Sequence, residues 1–268
     1  MDSKGSKYQE VIFRPLSMQA TAPTIWPDQA RAMVGKALHG IEFDRRLFHH
    51  NADGTAIMGA FRSFRDASEP SGWAGWSLPP IVLFDGGRGF VRLYGLGEEG
   101  SKLLRNETPK IFSGLVREHG PVAVDMREGE NEIRYAGYAI PHRIRSLVVS
   151  KSPRVRYAGP VSDPRVCAVI RRQIAHGLEA QCELLGMDAR DVPRNEEIDI
   201  LEGEPTGGVA IASGLPVSSY KNLVVSMPVR LVGPWTVGLL RSHGCGMIRA
   251  ADPVSDRRRP ASAERVAA

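Results

Sequence analysis

The sequence predicts an α+β fold, and three observations carry that reading. Short apolar runs bounded by Gly/Pro turns alternate with two helical stretches through the first half of the chain. A single strong helix flanked by strands occupies the second half. A chain of 268 residues, 42% hydrophobic and 24% charged, has room for two units with their own cores and is not of disordered composition.

Taken in order, residues 8–14 (YQEVIFR) read as a strand. Trp26-Pro27-Asp28 opens a helix running to about His39, with proline in the first turn and an acid near the positive end. Strands are expected at 55–64, 81–84 and 89–94, then a helix over 98–118 that Pro109 should break into two pieces, then a strand at 122–127. That order, β-α-β-β-α-β, is the split βαβ or ferredoxin-like (RRM-like) unit. The second half offers strands near 131–138, 144–149 and 154–157, followed by the helix 163–186. Ser162 is placed to cap that helix, Pro164 fits its first turn, and Gly186 ends it. Strands near 195–201, 208–212 and 222–232, a glycine-rich loop at 238–246 and a short strand at 246–250 complete a degenerate second ferredoxin-like unit. The expected limits are 1–130 and 131–251, with a polar, proline-broken flexible tail at 252–268.

Charge narrows the class of partner. Thirty-five basic against 30 acidic residues give a net +5, and only seven of the basic residues are lysines. Arginine presents a planar fork for phosphate and stacks on bases, so an arginine-heavy chain points to nucleic acid, although a GC-rich genome that favours arginine codons gives the same composition. Position separates the two. Residues 134–172 hold nine basic residues against Asp163 alone, while 188–204 hold seven acids against Arg190 and Arg194. A genomic bias would spread more evenly. No run of 18 apolar residues marks a membrane span, the start lacks the apolar core of a secretory signal, and three scattered cysteines fit a reducing cytoplasm.

Two glycine patterns compete for a phosphate. Gly95-Leu-Gly97-Glu-Glu-Gly100 matches a dinucleotide-binding fingerprint, but Glu98 and Glu99 would put two negative charges at the anion site. A turn whose acids favour a helix N-terminus is preferred there. The second pattern follows a strand: Gly238-Leu-Leu-Arg241-Ser-His243-Gly244-Cys-Gly246, with another strand after it. Glycines let a backbone approach phosphate closely and arginine supplies charge, while a plain hairpin turn accounts for the glycines equally well.

With its strand context and basic surroundings, this loop resembles that of the repeat-associated (RAMP) superfamily of CRISPR proteins. A single chain of this size with both halves is similar to the endoribonucleases that process precursor CRISPR RNA. The helix at 163–186 resembles the arginine-bearing helical insertion of the divergent type IV branch, which grips the repeat hairpin. The motif proper covers about Val237–Ile248. The resemblance implies that Gly238, Gly244 and Gly246 are loop glycines, that Arg241 and His243 lie near RNA, that no cofactor is needed, and that partners are the CRISPR repeat hairpin and other subunits of a CRISPR ribonucleoprotein. It also implies cleavage that leaves a 2′,3′-cyclic phosphate, with a histidine near the first helix often contributing.

The residues add candidate roles. Arg143 and Arg145, like Arg154 and Arg156, alternate along strands and project in pairs to one sheet face. Arg165, Arg172 and His176 share a helix face by spacing, with Arg171 beside them, opposite apolar Val166, Val169, Ile170 and Ile174. Metal-independent cleavage needs a base for the 2′-hydroxyl and cations for the developing charge. His39 and the pair His49-His50 are the candidate bases, and Arg31, Arg45, Arg46 or Arg241 the candidate cations. No C-x2-C pair, H-E-x-x-H, Walker loop or G-x-S-x-G elbow is present. Three readings stand: an endoribonuclease that stays on its product, a non-catalytic RAMP subunit that binds guide RNA, and a nucleotide-dependent enzyme using Gly95–Gly100.

Overall fold

The computed structural model describes residues 5–51, 53–55, 79–150, 157–206 and 217–251. Apart from Thr55, the strand expected at 55–64 lies outside these residues, as do Arg154, Arg156, the strand expected at 208–212 and the tail at 252–268. The first half runs β1 (Ser6–Pro15), α1 (Pro27–Ala37), β2 (Val82–Gly87), β3 (Phe90–Leu96), α2 (Gly97–His119) and β4 (Val122–Ser150). Its strands lie in the antiparallel order β2-β3-β1-β4. Val11 and Phe13 of β1, Phe84 of β2 and Leu93 of β3 meet Val34 of α1 and Leu104 of α2 in one apolar layer. Burial of this kind, at about 25 cal/mol per Å² of apolar surface, is what orders so short a helix as α1.

β4 is one strand of 29 residues where separate strands were expected at 122–127, 131–138 and 144–149. The polar run at 127–130 reads as a break, yet it pairs in register with β1: Arg127 with Glu10, Gly129 with Tyr8, Glu130 with Lys7. Ladder pairing overrides weak strand propensity. A register shift between Tyr135 and Ile140, around the positive-φ Gly137, bends the strand without ending it. The expected boundary between residues 130 and 131 therefore falls inside a shared strand.

Pro109 does not divide α2. It lies on the exposed face, as does Arg105 four residues earlier, so the carbonyl that loses its partner is open to water.

The second half continues with α3 (Pro164–Leu184), β5 (Asp199–Thr206), β6 (Ser218–Val232), β7 (Trp235–Thr236) and β8 (Met247–Ala250). Its order, β5-β6-β4-β8, repeats that of the first half, with the loop between β7 and β8 in place of a second helix. Asp163, not Ser162, caps α3: its Oδ1 accepts the Arg165 amide at 2.8 Å, while Pro164 takes the first turn as expected. Gly186, at φ +64, closes the helix as the Met187 amide reaches back to the Cys182 carbonyl at 2.8 Å. α3 is a core helix rather than a projecting insertion. Val166, Ile170, Ile174 and Leu178 are buried with Leu223 and Val225 of β6, and an exposed or half-buried stripe through Arg165, Ala168, Arg172 and His176 is left outside.

Candidate active site and nucleic-acid interface

After α1 the chain doubles back beside it. Asp44 caps a short 3-10 turn at Arg45–Phe48 by accepting the Arg46 amide at 2.9 Å, and His49, at φ +62, redirects the backbone. Phe48 anchors this segment by stacking on Phe84 of β2 with centroids 5.4 Å apart. Arg31 of α1 then donates to the Phe48 carbonyl at 3.1 Å, and its guanidinium lies 5.1 Å from the centre of the Phe48 ring. The result is a pocket of about 450 Å³ lined by Arg31, Gly35, Phe43, Arg45, Phe48 and His50.

The pocket's electrostatics follow from its walls. Burial lowers the His50 pKa from its ordinary value; the Arg31 and Arg45 charges lower it further, against a weaker opposing hydrogen bond with the Phe48 backbone. Burial likewise lowers the pKa of Arg31. Arg46 is committed elsewhere, held by Asp44 and by Glu99 at 2.6 Å. Of the three histidine candidates, only His50 lines the pocket. His49 is 8% exposed and packs inward, and His39 stands exposed beyond the end of α1. The carbonyls at that end, of Ala37 and His39, accept from Arg117 at 3.1 and 3.5 Å.

The glycine loop reaches the same helix from the second half. Gly238, Gly244 and Gly246 all have positive φ. A Cβ on Gly246 would collide with the Val237 carbonyl oxygen, and one on Gly244 with Pro27 at the start of α1 and, at 2.8 Å, with the Phe84 carbonyl. These glycines therefore let the loop press on the protein's own backbone, the hairpin-type role rather than an open cradle. Arg241 is only 5% exposed, and burial brings its pKa down to about 10, so it is a buried cation at neutral pH; His243 beside it is half-buried. Pro27 and Arg31 are one helical turn apart on the same face of α1, so loop and pocket are neighbours.

The predicted basic residues fall into two groups. Arg143 is exposed on β4, paired in register with Arg249 of β8. Arg145, two residues on, sits with its guanidinium 3.5 Å from the centre of the Trp26 ring at the N-terminus of α1. Arg249 in turn meets Asp85 of β2, a carboxylate only 2% exposed. The α3 group is separate: Arg165 is exposed, and Arg171 lies 3.5 Å from Asp199 on β5, at the sheet edge opposite β8. Sequence reasoning missed Trp26, Asp85 and Arg249 as site residues. An alternating Arg at 249 facing the Arg143 strand was a usable signal, but nothing local ties Asp85 to it.

The competing glycine pattern leads elsewhere. β3 is antiparallel to both neighbours, so no parallel crossover exists at Gly95–Gly100. A Cβ on Gly100 would collide with the Ile81 carbonyl, and Glu98 and Glu99 occupy the first turn of α2. Among the described residues, no three His, Cys, Asp or Glu side chains are grouped to hold a metal ion, and no helix is long and apolar enough to cross a membrane.

Comparison with known proteins agrees with this architecture. A comparison with curated protein sequences returned no match. Among solved structures, one described as Csf5, the CRISPR-Cas type IV Cas6 crRNA endonuclease, superposes with a TM-score of 0.65 at 18% identity, covering 91% of this chain and 99% of that one. A crystal structure of Cas6b gives 0.56 at 10% identity, covering 91% and 100%. At these identities the likeness establishes a shared fold. The family model of the type IV CRISPR-associated endonuclease Csf5 matches residues 13–253, both halves with the glycine loop between β7 and β8, and this chain belongs to that family.

Proposed function

We propose that the protein cuts precursor CRISPR RNA within its hairpin repeat, without a metal ion or cofactor, and stays on the mature guide within a ribonucleoprotein of the cytoplasm. The observation that carries this reading is a histidine of lowered pKa facing a pocket between two arginines. At neutral pH such an imidazole is unprotonated and can accept a proton. His50 would take the proton of the 2′-hydroxyl as that oxygen attacks the adjacent phosphorus. The P–O5′ bond then breaks, a 2′,3′-cyclic phosphate forms, and the 5′-oxygen leaves as a hydroxyl by taking a proton from water, while the His50 imidazolium returns its proton to solvent. Arg31 and Arg45 would stabilise the charge that builds on the phosphoryl oxygens.

The rest of the frame supports the reading. We read the repeated strand order as two ferredoxin-like units, the second lacking one helix, at residues 1–130 and 131–251 with their division inside β4. Arg143 and Arg145 extend the cationic surface from the pocket across β4, next to Arg249 of β8, which is paired with Asp85. The exposed stripe of α3, with Arg165 and Arg172, offers backbone contacts to a hairpin, whose deep major groove excludes side chains.

The test is cleavage of an end-labelled repeat hairpin in EDTA by the protein and by His50→Ala. We expect cyclic-phosphate product from the parent and a rate lower by about 10²–10⁴ for the variant, with binding retained. Tight binding without any cleavage by the parent would instead support a guide-binding subunit.

A further inference from the structure

Trp26 takes no part in the cleavage chemistry, yet it is conspicuously placed. The residue is 47% exposed although it forms the N-cap of α1. Its backbone is fixed: the Trp26 amide donates to the Gln29 side chain at 2.9 Å, and Pro27 follows at the first turn beneath Gly244. One face of the indole is covered by the Arg145 guanidinium at 3.5 Å. Arg145 comes from β4, so the stack joins the two halves beside the glycine loop. Arg31, which lines the His50 pocket, lies five residues along the same helix, a rise of about 7.5 Å.

A half-exposed indole backed by a cation is a flat, positively biased surface. Unpaired RNA bases stack on aromatic rings and arginine planes, and base–aromatic stacking tolerates any base because each has a π-face. We propose that Trp26, held by Arg145, is the stacking platform for one unpaired base next to the cleaved phosphate, and that it sets which phosphate enters the His50 pocket. The inference rests on that pocket being the site of cleavage. Trp26 is on this account a positioning residue.

The experiment uses a fluorescein-labelled repeat hairpin with unpaired nucleotides on both flanks, and a series carrying one abasic nucleotide each. Affinity and cut position are read for the parent, Trp26→Ala, Trp26→Phe and His50→Ala. We expect Trp26→Ala to weaken binding roughly fivefold to a hundredfold and to scatter the cut, with Trp26→Phe restoring most of both. On RNA abasic at one position the parent and Trp26→Ala should become equal, which a merely structural role for the ring would not produce. An unchanged affinity and cut for Trp26→Ala, or the same loss on every abasic RNA, would overturn the platform while a normal His50→Ala defect left the pocket reading standing. A parent that cuts the hairpin and is unaffected by His50→Ala would overturn the pocket reading, and the placement of Trp26 beside the cut with it.

Discussion

Gly246→Ala distinguishes a loop built to hold phosphate from one built to pack against the protein's own backbone at Val237. Gly246 sits at φ +77, its amide donates to the Ser146 carbonyl at 2.6 Å, and its own carbonyl accepts from Val237 at 3.0 Å. An L-residue in this region costs roughly 1–2 kcal/mol. The new methyl must also displace the Val237 carbonyl, an overpacking cost of about 1–3 kcal/mol, and doing so strains a hydrogen bond whose net worth is roughly 1 kcal/mol. The combined loss is about 3–6 kcal/mol. For a chain of this size that lowers the melting temperature by about 6–24 °C in a thermal melt followed by circular dichroism. Gly40→Ala is the matched control: it has φ +74 but nothing within 4 Å of the added methyl, so only the backbone cost of roughly 1–2 kcal/mol is expected. RNA affinity of Gly246→Ala, measured well below its melting transition, should stay within a few-fold of the parent. A melting temperature unchanged from the parent, with affinity lost, would refute the packing role and restore the phosphate cradle.

The remaining predictions concern charge. Because burial, Arg31 and Arg45 all hold the His50 pKa below its ordinary 6.5, the unprotonated base persists as pH falls through that value, and the cleavage rate should decline only at lower pH. Arg45→Gln removes one of those cations, so the acid limb of the pH–rate profile should move to higher pH; a limb that stays put would detach Arg45 from His50. Arg249→Ala strips the partner from the buried Asp85 carboxylate and should cost roughly 1–3 kcal/mol in urea unfolding, more than Asp85→Asn does. Replacing Arg165 and Arg172 of α3 by alanine should reduce the slope of log affinity against log salt by about 0.9 for each lost phosphate contact. An unchanged slope would show that this stripe faces only solvent.

How much of this was legible in the sequence depends on the range of the interaction responsible. Elements fixed by local signals came through: Pro27 opening α1, Pro164 and Gly186 bracketing α3, and the alternation of Arg143 and Arg145 about the buried Ile144. Those fixed by pairing with distant residues did not. Nothing within 127–130 says strand; the register with β1, more than a hundred residues earlier, does. Pro109 reads as a breaker because the sequence hides which face of α2 is wet. In the site, the chemistry of His50, Arg31 and Arg45 was readable as residue type, but not their convergence, which depends on Phe48 docking on Phe84 and on the left-handed turn at His49. The glycine spacing at 238–246 was equally visible. Its meaning rests on Pro27 and Val237, which occupy the spaces the glycines leave.

The net charge of +5 understates what a polyanion would meet, because the fold sorts the charges by edge. The acid-rich segment places Asp199, Glu202 and Glu204 on β5 at one border of the second half, where Asp199 takes up the charge of Arg171. Asp188 is held by Arg190 in the loop just before it. At the opposite border Arg143 stands exposed beside the Arg249–Asp85 pair, with Arg145 and the α1 pocket adjoining. Screening at physiological salt confines each field to about 8 Å, so the two edges act independently and the local sign, not the sum, governs approach. On the proposed reading, RNA arriving at the β8 side would find cations close to the His50 imidazole and the half-exposed Trp26 indole, whereas at the β5 side it would meet carboxylates. Within the basic block at 134–172, Arg171 of α3 is neutralised across the sheet edge by Asp199, while the proposed cleavage site draws on cations from residues 31, 45 and 145, which no single stretch of sequence contains.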